Sequence, residues 1–274
     1  MLPLQLLQPV LLALQLLAAM PRPSTALDNG LARLPPMGWR SWEAYYNNVD
    51  EGKMRATMDV LSDRSRGVDR VTGAPCAVGS GSASCAPTSL ADIGFVDAGL
   101  DAGFEDCKSR KVGGKPAFHD ESGRPLVNKH KFPDLQKMVD YGHAKNLTVS
   151  WYGNACACGS ENAYSSTTKP TVAQAIAGTV AATASYGFDG LKIDSCSQFN
   201  NMTEWATELN RSGHKVLLEN CHQGGMVPGQ VIPGQSCDGR GPGVSDCPYH
   251  VYRTRCVHNS ARSAFAKQAV SASN

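Results

Sequence analysis

The segment Leu191-Lys-Ile-Asp-Ser-Cys196 carries the sharpest chemical pattern in the chain. Lys192 and Asp194 are two residues apart in an apolar run, so in a β-strand both side chains point to the same face. A lysine beside an aspartate lowers the pKa of the carboxyl group and keeps it ionised, as a nucleophile requires. The alternative is a structural ion pair at the rim of a sheet, because a buried charge is costly unless it is paired or used.

Polar and aromatic residues also follow other apolar runs. Asp101 ends the run Gly99-Leu-Asp101, and Tyr152 and Asn154 end another. Trp42 follows the first apolar run, and aromatic faces commonly stack on the apolar faces of sugars. Trp39, in the same run, is better explained by core packing. Together these residues predict a site at one edge of a sheet, where parallel strands end.

Six short apolar runs predict the strands that position these side chains, namely residues 37–42, 95–102, 147–152, 190–193, 215–219 and 249–252. Segments with helical spacing of apolar residues lie between them, at 54–61, 135–139, 172–180 and from Asn201 onward. Strands alternating with helices predict an α/β fold with a parallel sheet. Because neither GxGxxG nor GxxxxGK[ST] occurs, an incomplete (β/α)8 TIM-type barrel of about six strand–helix units is favoured over a doubly wound sheet.

Two long loops rich in glycine span residues 70–90 and 224–246. Both are expected at the edge of the sheet where barrel enzymes build their sites. The proximity of Cys76 and Cys85 suggests a disulfide within the first loop.

Residues 1–26 are expected to form a secretory signal peptide. An apolar stretch from Leu2 to Met20 precedes Pro21-Arg-Pro23 and the small residues Ser24 and Ala26. An uncleaved anchor is the alternative, because the segment lacks a positive region before its apolar stretch. Ten cysteines and three glycosylation sequons, at Asn146, Asn201 and Asn210, agree with export to the cell exterior or to a compartment like a lysosome or vacuole.

Composition excludes several function classes. The 274 residues are 42% hydrophobic and 18% charged, so the chain can bury a core and is not disordered. A net charge of +2 without a long basic run argues against nucleic-acid binding. No apolar run of membrane-spanning length follows residue 26, so no membrane association is expected after cleavage. Without paired CxxC or His-x3–5-His spacing, no metal is expected.

A series of motifs in the same order resembles the α-galactosidases (melibiases) of glycoside hydrolase family 27. They are Leu27-Asp-Asn-Gly-Leu-Ala-Arg-Leu-Pro-Pro-Met-Gly-Trp39, Gly99-Leu-Asp101, Phe118-His-Asp-Glu-Ser-Gly-Arg-Pro-Leu-Val127, Lys131-Phe-Pro-Asp-Leu135 and Leu191-Lys-Ile-Asp-Ser-Cys196. The resemblance covers residues 27–254, which are expected to form an incomplete catalytic barrel. It implies retaining hydrolysis of terminal α-linked galactose from an oligosaccharide or glycoconjugate, without a cofactor.

The resemblance also implies roles for individual residues. Asp194 matches the nucleophile, Lys192 and Asp101 match groups that bind substrate hydroxyls, and Trp42 matches the indole against the sugar ring. Tyr152 matches the tyrosine beside the nucleophile, and Arg253 the arginine near the 2-hydroxyl. For disulfides the resemblance implies Cys156–Cys196, with Cys158 as a rival for Cys156, and a second bridge between Cys221 and Cys247.

The chain departs from the family pattern at the acid/base aspartate. That residue is expected four positions after Arg253, where the chain has Val257. Asp238 is an alternative acid, whereas Asp246 lies near the start of its strand. Loss of general acid catalysis typically costs on the order of 10²–10⁴ in rate. The alternatives to an active hydrolase are therefore an inactive galactoside-binding protein and a non-functional fragment.

Two further differences concern the sugar and the end of the chain. Ala102 replaces the second of two paired aspartates, and His222 lies near the position of a substrate-selecting glutamate, so galactose and N-acetylgalactosamine both remain candidate sugars. Residues 255–274 do not resemble the family and contain no acidic residue. They are expected to form a non-homologous tail that arises from a shifted reading frame, a retained intron or a truncation.

Overall fold

A parallel sheet forms the centre of the computed structural model, which describes residues 27, 29–154, 156–158, 163–194, 199, 201–221, 249–253 and 268–270. Its strands are β1 (Met37–Arg40), β5 (Phe95–Gly99), β8 (Thr148–Tyr152), β9 (Gly190–Ile193), β10 (Leu217–Asn220), β11 (Val251–Arg253) and β12 (Gln268–Val270). They are hydrogen-bonded in that order. Between β5 and β8 in the chain, β6 (Lys111–Val112) and β7 (Lys115–Pro116) form a separate antiparallel hairpin. The pairs from β1 to β11 are parallel, and β12 pairs antiparallel with β11.

The sheet is strongly curled. Strands β1 and β10 are separated by β5, β8 and β9, which would place them about 19 Å apart in a flat sheet. Yet Arg40 Nη2 lies 2.6 Å from Glu219 Oε2 across the concave face. Two side chains can meet over that span only if the sheet bends as the wall of a barrel does, so the fold is a partial (β/α) barrel.

Four helices connect the strands and cover the convex face: α2 (Glu51–Ser62), α3 (Leu135–His143), α4 (Val172–Tyr186) and α5 (Met202–Ser212), with the short α1 (Trp42–Tyr45) after β1. Each of the four packs on the next. Their apolar faces, including Met54, Met58 and Leu135, bury against strand residues such as Trp151. The helical spacing in the sequence predicted these faces, and Thr171 begins α4 in a capping box with Gln174.

The six predicted strands are therefore all present; the strand 190–193 has the predicted bounds, and no boundary of the others moves by more than three residues. The first predicted strand is shortened at its end because Ser41 and Trp42 begin α1. Asp134 is the N-cap of α3, and its side chain accepts a hydrogen bond from Lys137 N. Within the part of the chain that the structure describes, no helix is long and apolar enough to cross a bilayer.

The predicted position of the first long loop is wrong. Residues 66–87 form a small antiparallel sheet of β2 (Arg66–Asp69), β3 (Pro75–Ala77) and β4 (Cys85–Pro87), closed by a Cys76–Cys85 disulfide. This sheet connects the end of α2 to the start of β5. A helix that returns antiparallel to the strands ends at their amino edge, so this segment lies opposite the predicted site. The second long loop, 224–246, is outside the described residues.

Candidate active site

The residues proposed from sequence gather at the carboxyl edge of the sheet. Trp42 follows β1, Asp101 follows β5, Tyr152 ends β8 and Asp194 follows β9, while Lys192 lies within β9. Arg253 ends β11, and its side chain is not described. Parallel strands bring their carboxyl ends to one edge, which is why residues far apart in sequence meet there.

A buried ion pair connects two of these strands. Lys192 Nζ lies 2.6 Å from Asp101 Oδ2, and the two side chains are 7% and 3% exposed. Burial alone would raise the pKa of Asp101, but the charges of Lys192 and Arg40 hold it below its usual value. Burial would likewise lower the pKa of Lys192, but the charge of Asp101 above all raises it. Both groups are therefore charged at neutral pH.

Asp194 is held through its backbone. The buried side chain of Asn154 accepts a hydrogen bond from Asp194 N at 2.8 Å and donates one to Asp194 O at 2.6 Å. Because the side-chain amide of Asn154 binds both the N–H and the C=O group of Asp194, it fixes the backbone of that residue. The carboxyl group of Asp194 is half-buried at the end of β9.

Two aromatic residues border the same edge. The buried Tyr152 ring lies beneath Lys192 Nζ, 5.4 Å from its centroid. Burial, and then the negative charges of Asp194 and Asp101, raise the pKa of Tyr152 well above its usual value, so the phenol stays protonated as a hydrogen-bond donor. Trp42 is half-buried and packs edge-on against Tyr46, with ring centroids 5.4 Å apart.

Sequence reasoning did not identify Glu105, a buried carboxyl group in the loop after β5. Its Oε2 accepts a hydrogen bond from Gly103 N at 2.6 Å, while its buried Oε1 has no partner among the described residues. Burial raises the pKa of Glu105 to about 7. A glutamate in a polar loop gives no sequence signal that it is buried, because the residues that bury its side chain belong to distant parts of the chain.

Glu105→Gln is expected to stabilise the protein at alkaline pH and to change little at acidic pH. The carboxyl group of Glu105 holds its proton up to pH about 7 when folded, but releases it near pH 4.5 when unfolded. Folding stability is therefore lost as the pH rises from 4.5 to 7, by up to about 3 kcal/mol. Urea unfolding at pH 4 and pH 8 measures the difference.

The control for this prediction is Glu121→Gln, since the Glu121 side chain is 80% exposed. It should leave the free energy of unfolding unchanged at both pH values. A Glu105→Gln protein no more stable than the wild type at pH 8 would show that the buried carboxyl group is not destabilising.

Two more residues that sequence reasoning missed are Arg40 and Glu219, which form the ion pair across the concave face. The available signal was a charged residue inside an apolar strand, the same signal that singled out Lys192. It was not enough by itself, because no sequence pattern shows that β1 and β10 face each other.

The disulfides agree in part with expectation. Cys76–Cys85 is present, and Cys158 pairs with Cys107, a bridge that the sequence did not suggest. Cys158 is therefore not the alternative to Cys156 as the partner of Cys196. Cys156 also forms a disulfide, and its predicted partner Cys196 lies outside the described residues, as does Cys247, the predicted partner of Cys221.

Known proteins with similar sequences are glycosidases. The chain is 27% identical over 227 residues to the α-N-acetylgalactosaminidase of Gallus gallus, a match that covers 77% of this chain and 48% of that protein. It is 27% identical over 209 residues to an α-galactosidase of Oryza sativa subsp. japonica, covering 74% of this chain and 41% of the relative. No protein-family model matches the chain. The chain thus spans less than half the length of these curated relatives.

Solved structures support the fold. An α-galactosidase from Saccharomyces cerevisiae superposes with a TM-score of 0.50 at 19% identity, covering 72% of this chain and 37% of the other. The structure of an α-galactosidase from the same yeast with raffinose gives a TM-score of 0.50 at 19% identity, covering 77% and 38%. At this identity the likeness shows the barrel architecture.

Proposed function

We propose that this chain, a relative of the α-galactosidases and α-N-acetylgalactosaminidases of glycoside hydrolase family 27, is a retaining hydrolase of terminal α-galactosyl residues with Asp194 as its nucleophile. The observation that carries this proposal is the buried Lys192–Asp101 pair at the carboxyl edge, directly beside the strand end that bears Asp194. A fully buried ion pair at the mouth of a barrel provides fixed charges for the hydroxyl groups of a sugar.

The proposed reaction has two displacement steps. An Asp194 carboxylate oxygen attacks the anomeric carbon, the glycosidic carbon–oxygen bond breaks with its electron pair on the departing oxygen, and that oxygen takes a proton from solvent water. A second water molecule then attacks the same carbon from the face opposite Asp194, loses its proton to solvent, and displaces Asp194 as a carboxylate. Two inversions give net retention. The Asn154 hydrogen bonds to the backbone of Asp194 hold the attacking group in place during both steps.

Sugar binding would use the lone pairs of Asp101 that the protein leaves available. Its Oδ2 accepts from Lys192, and its Oδ1 accepts from Ala102 N at 2.9 Å. A carboxylate can accept about four hydrogen bonds, so two positions remain for neighbouring hydroxyls of one sugar. We place the apolar face of that sugar against Trp42 and its 2-hydroxyl near Arg253.

The proposed site has no assigned proton donor. Val257 stands where the acid is expected, and it lies outside the described residues. We therefore expect substrates whose leaving group needs no proton to react much faster than natural glycosides. The difference should be on the order of 10²–10⁴, the typical contribution of general acid catalysis.

We also propose that the protein acts in the secretory pathway, outside the cell or in a lysosome-like or vacuole-like compartment. Two disulfides within the described part of the chain, Cys76–Cys85 and Cys107–Cys158, are typical of an oxidising compartment. The predicted glycosylation sites Asn146 and Asn210 are exposed, as glycan attachment requires. The predicted signal peptide, 1–26, lies outside the described residues.

The proposal is tested by comparing α-galactosyl fluoride with raffinose and following the products by NMR. The fluoride ion leaves without protonation, so the enzyme should consume α-galactosyl fluoride and release galactose first as its α-anomer. Raffinose should react far more slowly. β-Galactose as the first product would contradict retention. Galactose binding without any reaction of the fluoride would instead indicate an inactive galactoside-binding protein.

A further inference from the structure

We propose that Arg40 and Glu219 form a positioning pair that holds Lys192 and Asp101 in place, and in their charged states, for sugar binding. Neither residue needs to contact the sugar. The inference rests on the proposed function, because it assigns Lys192 and Asp101 to a bound galactosyl unit.

The geometry of the pair places it directly beneath the site. Arg40 Nη2 lies 2.6 Å from Glu219 Oε2, and the side chains are 22% and 6% exposed. A Cβ atom at Gly99 would lie 3.1 Å from both Cζ and Nη1 of Arg40. The guanidinium group therefore lies against the backbone of β5, two residues before Asp101, and Gly99 provides the space for it.

The backbone next to Arg40 also contacts Asp101. Ser41 N donates a hydrogen bond to Gly99 O at 2.9 Å, and Ser41 Oγ accepts one from Asp101 N at 2.9 Å. Ser41 is fully buried. A movement of β1 that followed the loss of the Arg40–Glu219 pair would consequently move the backbone of Asp101.

The charges of the two pairs act on each other. After Lys192, Arg40 is the strongest positive charge acting on Asp101, and it helps to hold the pKa of that carboxyl group below its usual value although burial alone would raise it. Conversely, burial lowers the pKa of Lys192, and the negative charge of Glu219 adds to that of Asp101 in raising it. Arg40 thus favours ionised Asp101. The charge of Arg40 lowers the pKa of Lys192, but Asp101 and Glu219 raise that pKa more, so Lys192 stays protonated.

Other ionisable groups surround this network and contribute to its titration. Asp97, on β5, acts on Arg40 and accepts a hydrogen bond from Ser150 Oγ at 2.7 Å. Tyr152 on β8, Asp194 after β9 and Cys221 after β10 face the same interior, and Glu105 lies in the loop after β5. None of these replaces Arg40 as a second cation beside Asp101.

The pair lies away from the reacting groups at the carboxyl edge. It borders a cavity of about 740 Å³ that opens toward the amino edge of the sheet, together with Asp97. Arg40 Nη1 is buried and has no hydrogen-bond partner among the described residues. An unpaired buried donor is costly, so hydrogen bonding alone does not explain the position of Arg40, whereas its charge acts on Asp101.

The test is the pH dependence of galactose binding, measured by calorimetry for the wild type, Arg40→Met, Arg40→Lys and the double variant Arg40→Met/Glu219→Gln. The double variant removes both charges of the pair, so neither Arg40 nor Glu219 is left buried without its partner. Loss of Arg40 should move the pH below which galactose affinity is lost upward by about one unit or more. Arg40→Lys should restore the wild-type profile, since it keeps the charge.

The matched control is Arg64→Met, which breaks an exposed bidentate pair with Asp92 and should leave the binding profile unchanged. If the double variant folds and its pH profile coincides with that of the wild type, the inference is wrong and the pair is only structural. An equal loss of affinity at every pH would show that the pair acts on position alone and would contradict the part of the inference that concerns the charged states. If the wild type binds no galactose at any pH, the proposed function fails, and this inference fails with it.

Discussion

Replacement of Asp194 by asparagine is expected to abolish galactosyl transfer from α-galactosyl fluoride while leaving galactose affinity within a few-fold of the wild type. Removal of a covalent nucleophile lowers the rate by on the order of 10⁴–10⁶. An amide nitrogen and a neutral carbonyl oxygen occupy nearly the same volume as the carboxylate, so the site retains its shape. The backbone hydrogen bonds to Asn154 do not depend on the replaced atoms. Fluoride release and calorimetric titration measure the two quantities.

Asp189→Asn is the matched control for this variant. Asp189 precedes the same strand, β9, and accepts hydrogen bonds from Val149 N and His143 Nε2 at 2.8 Å. It lies at the amino edge of the sheet, so its replacement should affect stability and not the chemical step. Equal fluoride release by Asp194→Asn and the wild type would exclude Asp194 as the nucleophile.

Lys192→Met is expected to destabilise the protein by about 3–5 kcal/mol, because it leaves the Asp101 carboxylate buried without its ion-pair partner. Asp101 is 3% exposed at its side chain, so the few water molecules that reach it compensate poorly for the lost charge. Galactose affinity should fall as well, since Asp101 would be protonated or displaced. Urea unfolding at pH 7 gives the free energy of unfolding.

The double variant Lys192→Met/Asp101→Asn distinguishes this explanation from a simple packing defect. It removes both charges and should recover most of the lost stability, giving a large coupling energy between the two positions. For comparison, Arg64→Met removes one member of an exposed pair and should change the free energy of unfolding little. A double variant as unstable as Lys192→Met would indicate that lost packing, and not an unpaired charge, causes the effect.

Much of the fold could be predicted because local physical rules agree with it. Met54, Met58 and Leu61 recur at helical spacing and are buried on one face of α2. Thr171 and Asn201 are preferred N-cap residues, and each begins the helix that its sequence signal predicted. Short apolar runs without alternation became parallel strands covered by helices.

The unpredicted features depend on contacts between distant segments. Arg40 and Glu219 are 179 residues apart, and their pairing follows from the curvature of the sheet. Cys107 and Cys158 are 51 residues apart, and no local spacing relates them. The small sheet at residues 66–87 was expected at the carboxyl edge, because the sequence showed a long loop but not on which side of the barrel it returns.

The most direct test of the account is intact-mass analysis and peptide mapping after incubation with α-galactosyl fluoride and rapid acid quenching. Fluoride leaves without a proton donor. Under the proposal that Val257 replaces the acid/base aspartate, the second step has no general base and is slow, so we expect a galactosyl-enzyme to accumulate. We predict one added hexosyl residue on the peptide that carries Asp194, and no addition in the Asp194→Asn protein. A hexosyl group on any other residue, or an unmodified wild-type protein that binds galactose, would contradict the assignment of Asp194 as the nucleophile.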